Sequence, residues 1–401
     1  MNKLYSVALM CLIGINASKA VTTDAVTLVS AKVPSSKTSL SRTEAETFAD
    51  TLRNISKQAY LAQYGQAWDD HLILKDSLRM PFSSRTIGER PADGYPIFIS
   101  LHDIAGTTAS VNDEQYQKQQ HRYDQTLPAS CIYITPRAPQ DANDIWQKPA
   151  LDSMLHTLVN LAVLNQGGNP NRVYLLGNMA GGDGVWHIAT RQPDHWAATA
   201  TTGGHLEHLN IENLRNAPVM VLTVEDGGND TARIETAKLC REMDKLQEND
   251  TEGYKHQCSS TGNNGKQLEV GEGKALDWLQ QFTRNTIPQK VVWQQGETVT
   301  GSHYWLSVPA TVTPQPGDKV TAEIDENIIR VSKCNYPELN IWLNDKMVDL
   351  DSPVTVIFDG KPVYKGKLPR KNSVIEESVF NRNDFGFYYC SKITLLIEVV
   401  K

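Results

Sequence analysis

An α/β domain with a mainly parallel sheet and helices on both faces, followed by a small all-β sandwich-like domain, is the fold class this sequence predicts. Three observations predict it. Past Pro96, short and nearly continuous apolar runs alternate with helical stretches, the pattern of strands buried on both faces. From about Lys290 the helical stretches give way to β-type runs separated by turns. A chain of 401 residues with 40% hydrophobic and 21% charged side chains suits two packed domains and excludes a disordered or collagen-like protein.

The elements follow in order. Residues 1–20 join basic Lys3, an apolar run from Leu4 to Ile15 and a small-residue end, Ser18-Lys19-Ala20. That is the three-part pattern of a secretory signal peptide, and its apolar run is too short to span a bilayer. The expectation is an exported protein, periplasmic or extracellular, with no transmembrane segment. Residues 21–40 are rich in Ser, Thr and Val and read as a loose N-terminal segment. Thr43 to Asp76 reads as a helix that Ser41 or Thr43 can cap. The α/β domain is placed at 41–290. Its strands are expected at Ile97–Leu101, Ile132–Ile134, Arg172–Leu176, Ala198–Thr202 and Val219–Thr223, with helices near 149–166, 181–192 and 230–247. The β domain is placed at 291–401. Asp359-Gly360 between Val354–Phe358 and Pro362–Lys365 signals a hairpin, and Ile393–Val400 is the last apolar run.

The formal charge is −7, with no run of five like charges. Binding along a nucleic-acid backbone is excluded, because it needs a basic surface. Removing residues 1–20 takes away Lys3 and Lys19 and leaves the rest more negative. Of six cysteines, Cys11 leaves with the leader, so an odd number remains. In an oxidising compartment the expected pairs are Cys240–Cys258 and Cys334–Cys390. Cys131, inside an apolar run, is left as a buried thiol. The lack of any C-x-x-C gives no support to a zinc or thioredoxin-type site.

The chemistry-bearing stretch is Tyr174-Leu175-Leu176-Gly177-Asn178-Met179-Ala180-Gly181-Gly182-Asp183-Gly184. It reads as a strand, a glycine-rich turn and a helix start, the context of a G-x-S-x-G nucleophile elbow. Met179 stands where Ser, Cys or Asp would be needed. Upstream, Ile97–Leu101 runs into His102-Asp103-Ile104-Ala105-Gly106, where an oxyanion loop would lie. Asp103, Ile104 and Ala105 lack the φ freedom of glycine, and Asp103 puts negative charge beside a developing oxyanion.

The stretches Pro91-Ala92-Asp93-Gly94, Gly167-Gly168-Asn169-Pro170-Asn171-Arg172, Gly181-Gly182-Asp183-Gly184 and Gly227-Gly228-Asn229-Asp230 carry a family resemblance, as do Ala275-Leu276-Asp277-Trp278-Leu279 and Tyr304-Trp305-Leu306. With them the chain resembles secreted bacterial α/β-hydrolase-like proteins with a C-terminal β domain, relatives of dienelactone hydrolases and polyhydroxyalkanoate-depolymerase-type esterases. The resemblance spans nearly the whole mature chain and implies an α/β-hydrolase fold. It also implies that the nucleophile position falls on Met179, the acid on Asp230 with Asp226 as second choice, and the His on Lys266. The oxyanion-loop positions become His102, Asp103, Ile104 and Ala180.

Two triad groups are thereby lost. A thioether has no proton to give up, and losing the nucleophile costs roughly 10⁶ in turnover. Lys266 is protonated near neutral pH unless burial lowers its pKa. The expectation is a non-catalytic esterase relative without a cofactor, binding a small ligand, a polymer or a protein at the cell envelope. The alternative is an active secreted hydrolase with a non-standard site, such as a metal-activated water near Asp226, Asp230 and His205. Trp146, Asp183 and His205 are pocket candidates. Asp230 also suits a plain helix N-cap, Lys266 a solvated lysine, and Trp146 an aromatic core position.

Overall fold

The computed structural model describes residues 4–5, 26–34, 39–103, 108–204, 209–225, 230–262 and 265–400. The chain forms two compact units. One comprises Ile55–Thr286 and Asp384–Gly386; the other comprises Met1–Asn54, Ile287–Asn383 and Phe387–Lys401.

The first of these is built on an eight-stranded sheet. Its strands are β1 (Leu72–Lys75), β2 (Leu78–Ile87), β3 (Tyr95–Leu101), β4 (Cys131–Pro136), β5 (Gly168–Asn178), β6 (Ala198–Thr202), β7 (Val219–Glu225) and β8 (His256–Gly262). They lie in the order β1-β2-β4-β3-β5-β6-β7-β8. β1 and β2 pair antiparallel, as do β2 and β4, and every other pair is parallel. This is an α/β-hydrolase fold. Every residue of β3 is buried, and alternate residues enter different clusters. Ile97, Ile99 and Leu101 pack with Leu151, Leu155 and Leu158 of helix Ala150–Gln166. Phe98 packs with Tyr174, Leu276 and Leu279. Covering both faces is what requires the continuous apolar runs.

Two expectations are corrected in this unit. The predicted helix Thr43–Asp76 ends earlier, as Arg42–Asp69, and Leu72–Lys75 becomes a strand. His71 and Asp76 take positive φ values of 53° and 52°, which bracket the apolar Leu72–Leu74 as a hairpin arm. β8 has no apolar run, so its sequence carries no strand signal.

The other unit holds a six-stranded antiparallel sheet and a five-stranded sheet with one parallel pair. Their shared core includes Trp293, Trp305, Tyr336, Ile341 and Ile393. The Asp359-Gly360 turn joins Val354–Phe358 to Lys361–Gly366, both turn residues having positive φ. Ser41 and Glu44 cap helix Arg42–Asp69 reciprocally: the Glu44 N–H donates to Ser41 Oγ and the Ser41 N–H to Glu44 Oε2. The expectation of a loose 21–40 segment is corrected, because Val26–Lys32 pairs along Ser391–Val400. The unit is also not all-β, since Asn372–Arg382 is a helix burying Val374, Ile375, Ser378 and Val379.

Cys240 and Cys258 form a disulfide. Cys334 and Cys390 do not, which corrects the second expected pair; both are free thiols. Cys390 is buried with its Sγ 3.7 Å from Asp345 Oδ2, and burial pushes both thiols up to about 12. Sequence spacing says nothing of whether two Cα atoms come within the ~7 Å a disulfide needs. Cys131 is a buried free thiol. No helix among the described residues is long and apolar enough to cross a membrane.

Candidate functional site

The site begins where β5 ends. Met179 follows Asn178 at φ 51°, ψ −116°, and helix Ala180–Arg191 starts directly after it. Such a backbone costs a non-glycine residue about 1–3 kcal/mol. The neighbours hold it there: the Met179 N–H donates to Thr202 O at 2.9 Å, and Met179 O accepts from the Asp183 N–H at 3.0 Å. The flanking glycines are obligatory. A Cβ on Gly177 would lie 2.1 Å from Gly181 O, and one on Gly181 would lie 2.4 Å from Leu101 O. The turn therefore has the form of an elbow and lifts the Met179 side chain outward, leaving that residue 42% exposed. Its thioether lies over Gly203, where a Cβ would come within 2.6 Å of the sulfur.

The segment after β3 faces this elbow. His102 is fully buried, and both ring nitrogens are engaged. Nε2 accepts from the Ala138 N–H at 3.0 Å, so Nδ1 carries the proton and donates to Asp103 O at 2.6 Å. Burial lowers the His102 pKa to about 4, so the ring is neutral near pH 7. Trp146 Nε1 donates to His102 O at 2.9 Å, and the two rings meet edge to face. Trp146 is thus a buried support for this segment.

The consequence appears one residue on. Asp103 Oδ1 accepts from the Ala180 N–H at 3.2 Å. The N–H of the residue after the elbow is a donor that an esterase offers to the oxyanion. Here the chain's own carboxylate holds it.

The remaining expected positions are not all assembled with these. Asp183 sits in the first helical turn, close enough to Gly204 that a Cβ there would meet its Oδ1 at 2.9 Å. Asp230 is the first residue of helix Asp230–Asn249, but its side chain, with Asp226, His205 and Ile104, lies outside the described residues. Lys266 is exposed on helix Gly265–Leu279 and lines a groove beside β8. Among the described residues no three His, Cys, Asp or Glu side chains are grouped to hold a metal ion.

Sequence reasoning missed what braces the elbow. Arg122 donates from Nε and Nη2 to Glu272 Oε1, at 2.8 and 2.6 Å, and from Nη2 to Asn178 Oδ1 at 3.0 Å. The Glu272 side chain is only 4% exposed. Burial pushes its carboxyl above the ordinary range, while Arg122 opposes that shift. Three residues so far apart in sequence leave no local signal.

No family model and no curated protein matches the chain. Among solved structures it is similar to a thermostable esterase at 19% identity and a TM-score of 0.39, covering 54% of this chain and 64% of that one. Similarity to the enterochelin esterase of Shigella flexneri is 11% identity with a TM-score of 0.37, over 50% of this chain and 54% of that one. For the S-formylglutathione hydrolase of Staphylococcus aureus the values are 12% and 0.30, over 52% and 99%. The chain therefore spans just under two thirds of the first of these proteins and about half of the second.

Proposed function

We propose that this chain is an exported, non-catalytic relative of esterases that binds a ligand or partner and does not turn over esters by a Ser-His-Asp route. One observation carries the reading: a thioether occupies the elbow while the Asp103 carboxylate accepts from the Ala180 N–H. The nucleophile and an oxyanion donor are compromised together. Substrate carbonyl oxygen would have to displace a charged acceptor from that N–H, and the acceptor would then repel the developing oxyanion. Lys266, exposed on its helix, stands where the resemblance puts the triad His. Export is supported by the leader-like residues 1–20 and by the Cys240–Cys258 disulfide. N-terminal sequencing of secreted material, with a new terminus after Ala20, tests that part.

The catalytic part is tested with 4-nitrophenyl acetate. The wild-type chain is expected to match an unfolded control, and turnover well above that control overturns the reading. Restoration then separates the two defects. Met179→Ser with Lys266→His puts a hydroxyl at the elbow and an imidazole where the resemblance places the triad His, but keeps the carboxylate on Ala180. Adding Asp103→Gly is expected to raise the rate a further 10²–10³-fold, roughly the worth of one oxyanion donor. Equal rates with and without Asp103→Gly would show that the carboxylate does not block the hole.

A further inference from the structure

β8 ends the eight-stranded sheet, with only β7 beside it among the described residues. Edge strands are ordinarily protected by charge, proline or bulges. His256-Gln257-Cys258-Ser259-Ser260-Thr261-Gly262 contains no Lys, Arg, acid or Pro, and its pairing with β7 is unbroken over seven residues. The Cys240–Cys258 disulfide ties this strand to helix Asp230–Asn249, so the edge is rigid and needs little ordering to accept another strand.

The polarity of its backbone follows from one hydrogen bond. The Val219 N–H donates to Lys255 O, so odd-numbered residues from 255 turn toward β7, and His256, Cys258 and Ser260 present N–H and C=O outward. Beside this edge runs a groove of about 560 Å³ between β8 and helix Gly265–Leu279. Lys266, Val270 and Lys274 line it at helical i, i+4, i+8 spacing, above Met220. Val270 is 51% exposed, and neither lysine has an ion-pair partner among the described residues. Eight helical residues span about 12 Å, and four strand residues about 13 Å.

We infer that this edge is a strand-addition site for an extended acidic peptide. The incoming strand pairs with the outward groups of His256, Cys258 and Ser260. Its side chains on the helix side follow the pattern acid-x-apolar-x-acid, placing carboxylates at Lys266 and Lys274 and an apolar group on Val270. The two free ammonium groups on an acidic chain supply the charge complementarity that selects this occupant over a neutral one. This surface shares Lys266 with the position the resemblance gives the triad His, but the inference stands whether or not the chain hydrolyses esters, because its readout is peptide binding.

The probe is a fluorescein-labelled heptapeptide with Glu at its second and sixth positions, Val at its fourth and Thr elsewhere, followed by fluorescence anisotropy on the full mature chain. Saturable binding that weakens with added salt is expected. The same peptide with Lys for Glu is expected not to bind. Lys266→Glu with Lys274→Glu, both exposed and so without effect on folding, should weaken binding at least about tenfold. Ser260→Pro removes one outward N–H at a position an edge strand tolerates and should also weaken it at least about tenfold. No saturable binding, or binding unchanged in either variant, overturns the proposal. Sedimentation showing a dimer that Ser260→Pro dissolves, without peptide binding, overturns it in favour of a second copy as the occupant.

Discussion

His102 and Asp103 are both engaged within the chain, His102 through its two ring nitrogens and Asp103 through the Ala180 N–H. His102 is held neutral by burial, with its folded pKa lowered to about 4 from about 6.5 in an unfolded chain. Between these values the unfolded state binds the proton and the folded state does not. Stability is therefore full above about pH 6.5, falls as pH drops, and levels off for this group below about pH 4. The upper bound on the loss is about 3 kcal/mol. Urea unfolding of the wild type and His102→Gln between pH 4 and 7 checks it: the wild-type free energy should fall with acid more steeply than the variant's. Parallel curves would remove His102 from the acid response. Met179, by contrast, was legible from sequence alone. Only the elbow needs glycine at both Gly177 and Gly181, so the turn declared itself by spacing although its central side chain was unexpected.

Elements were legible in proportion to how fully they are buried. β3 to β7 have neighbours on both edges and helices on both faces, so most of their buried residues are apolar and stood out, although β6 carries three buried threonines. β8 is paired on one edge and half covered, and its Ser and Thr residues carry no such signal. The same limit hid the brace under the elbow, where the end of helix Ala109–His121, helix Gly265–Leu279 and the end of β5 meet through Arg122, Glu272 and Asn178. A buried ion pair of this kind is costly to break from one side. Glu272→Met should lose about 3–5 kcal/mol, whereas Arg122→Met with Glu272→Met should lose much less than the two single changes together, because no charge is left unpaired. A double-mutant cycle in urea measures both. Additive losses would mean that the pair does not act as a unit.

At the scale of the molecule the chain is not two successive domains. Its N-terminal part joins the unit formed mostly by its C-terminal residues, and the division falls inside helix Arg42–Asp69. Ala45 and Ala49 of that helix lie in one core, Tyr60 and Trp68 in the other. The composition of residues 21–40 suggested a loose lead-in because a run rich in Ser, Thr and Val resembles a linker. Val26–Lys32 is in fact paired with Ser391–Val400 across seven residues, and Ala31 is 3% exposed in the core. The consequence is a sharp dependence of stability on where a chain starts. A chain beginning at Val21 keeps this strand; one beginning at Val33 leaves Ser391–Val400 with an open edge, the arrangement that invites association between chains. Calorimetry should show the shorter chain melting at least about 5 °C lower, and light scattering should show it associating on heating while the Val21 chain does not. Equal melting and equal scattering would mean that the N-terminal strand is dispensable, and that the C-terminal unit closes its sheet without it.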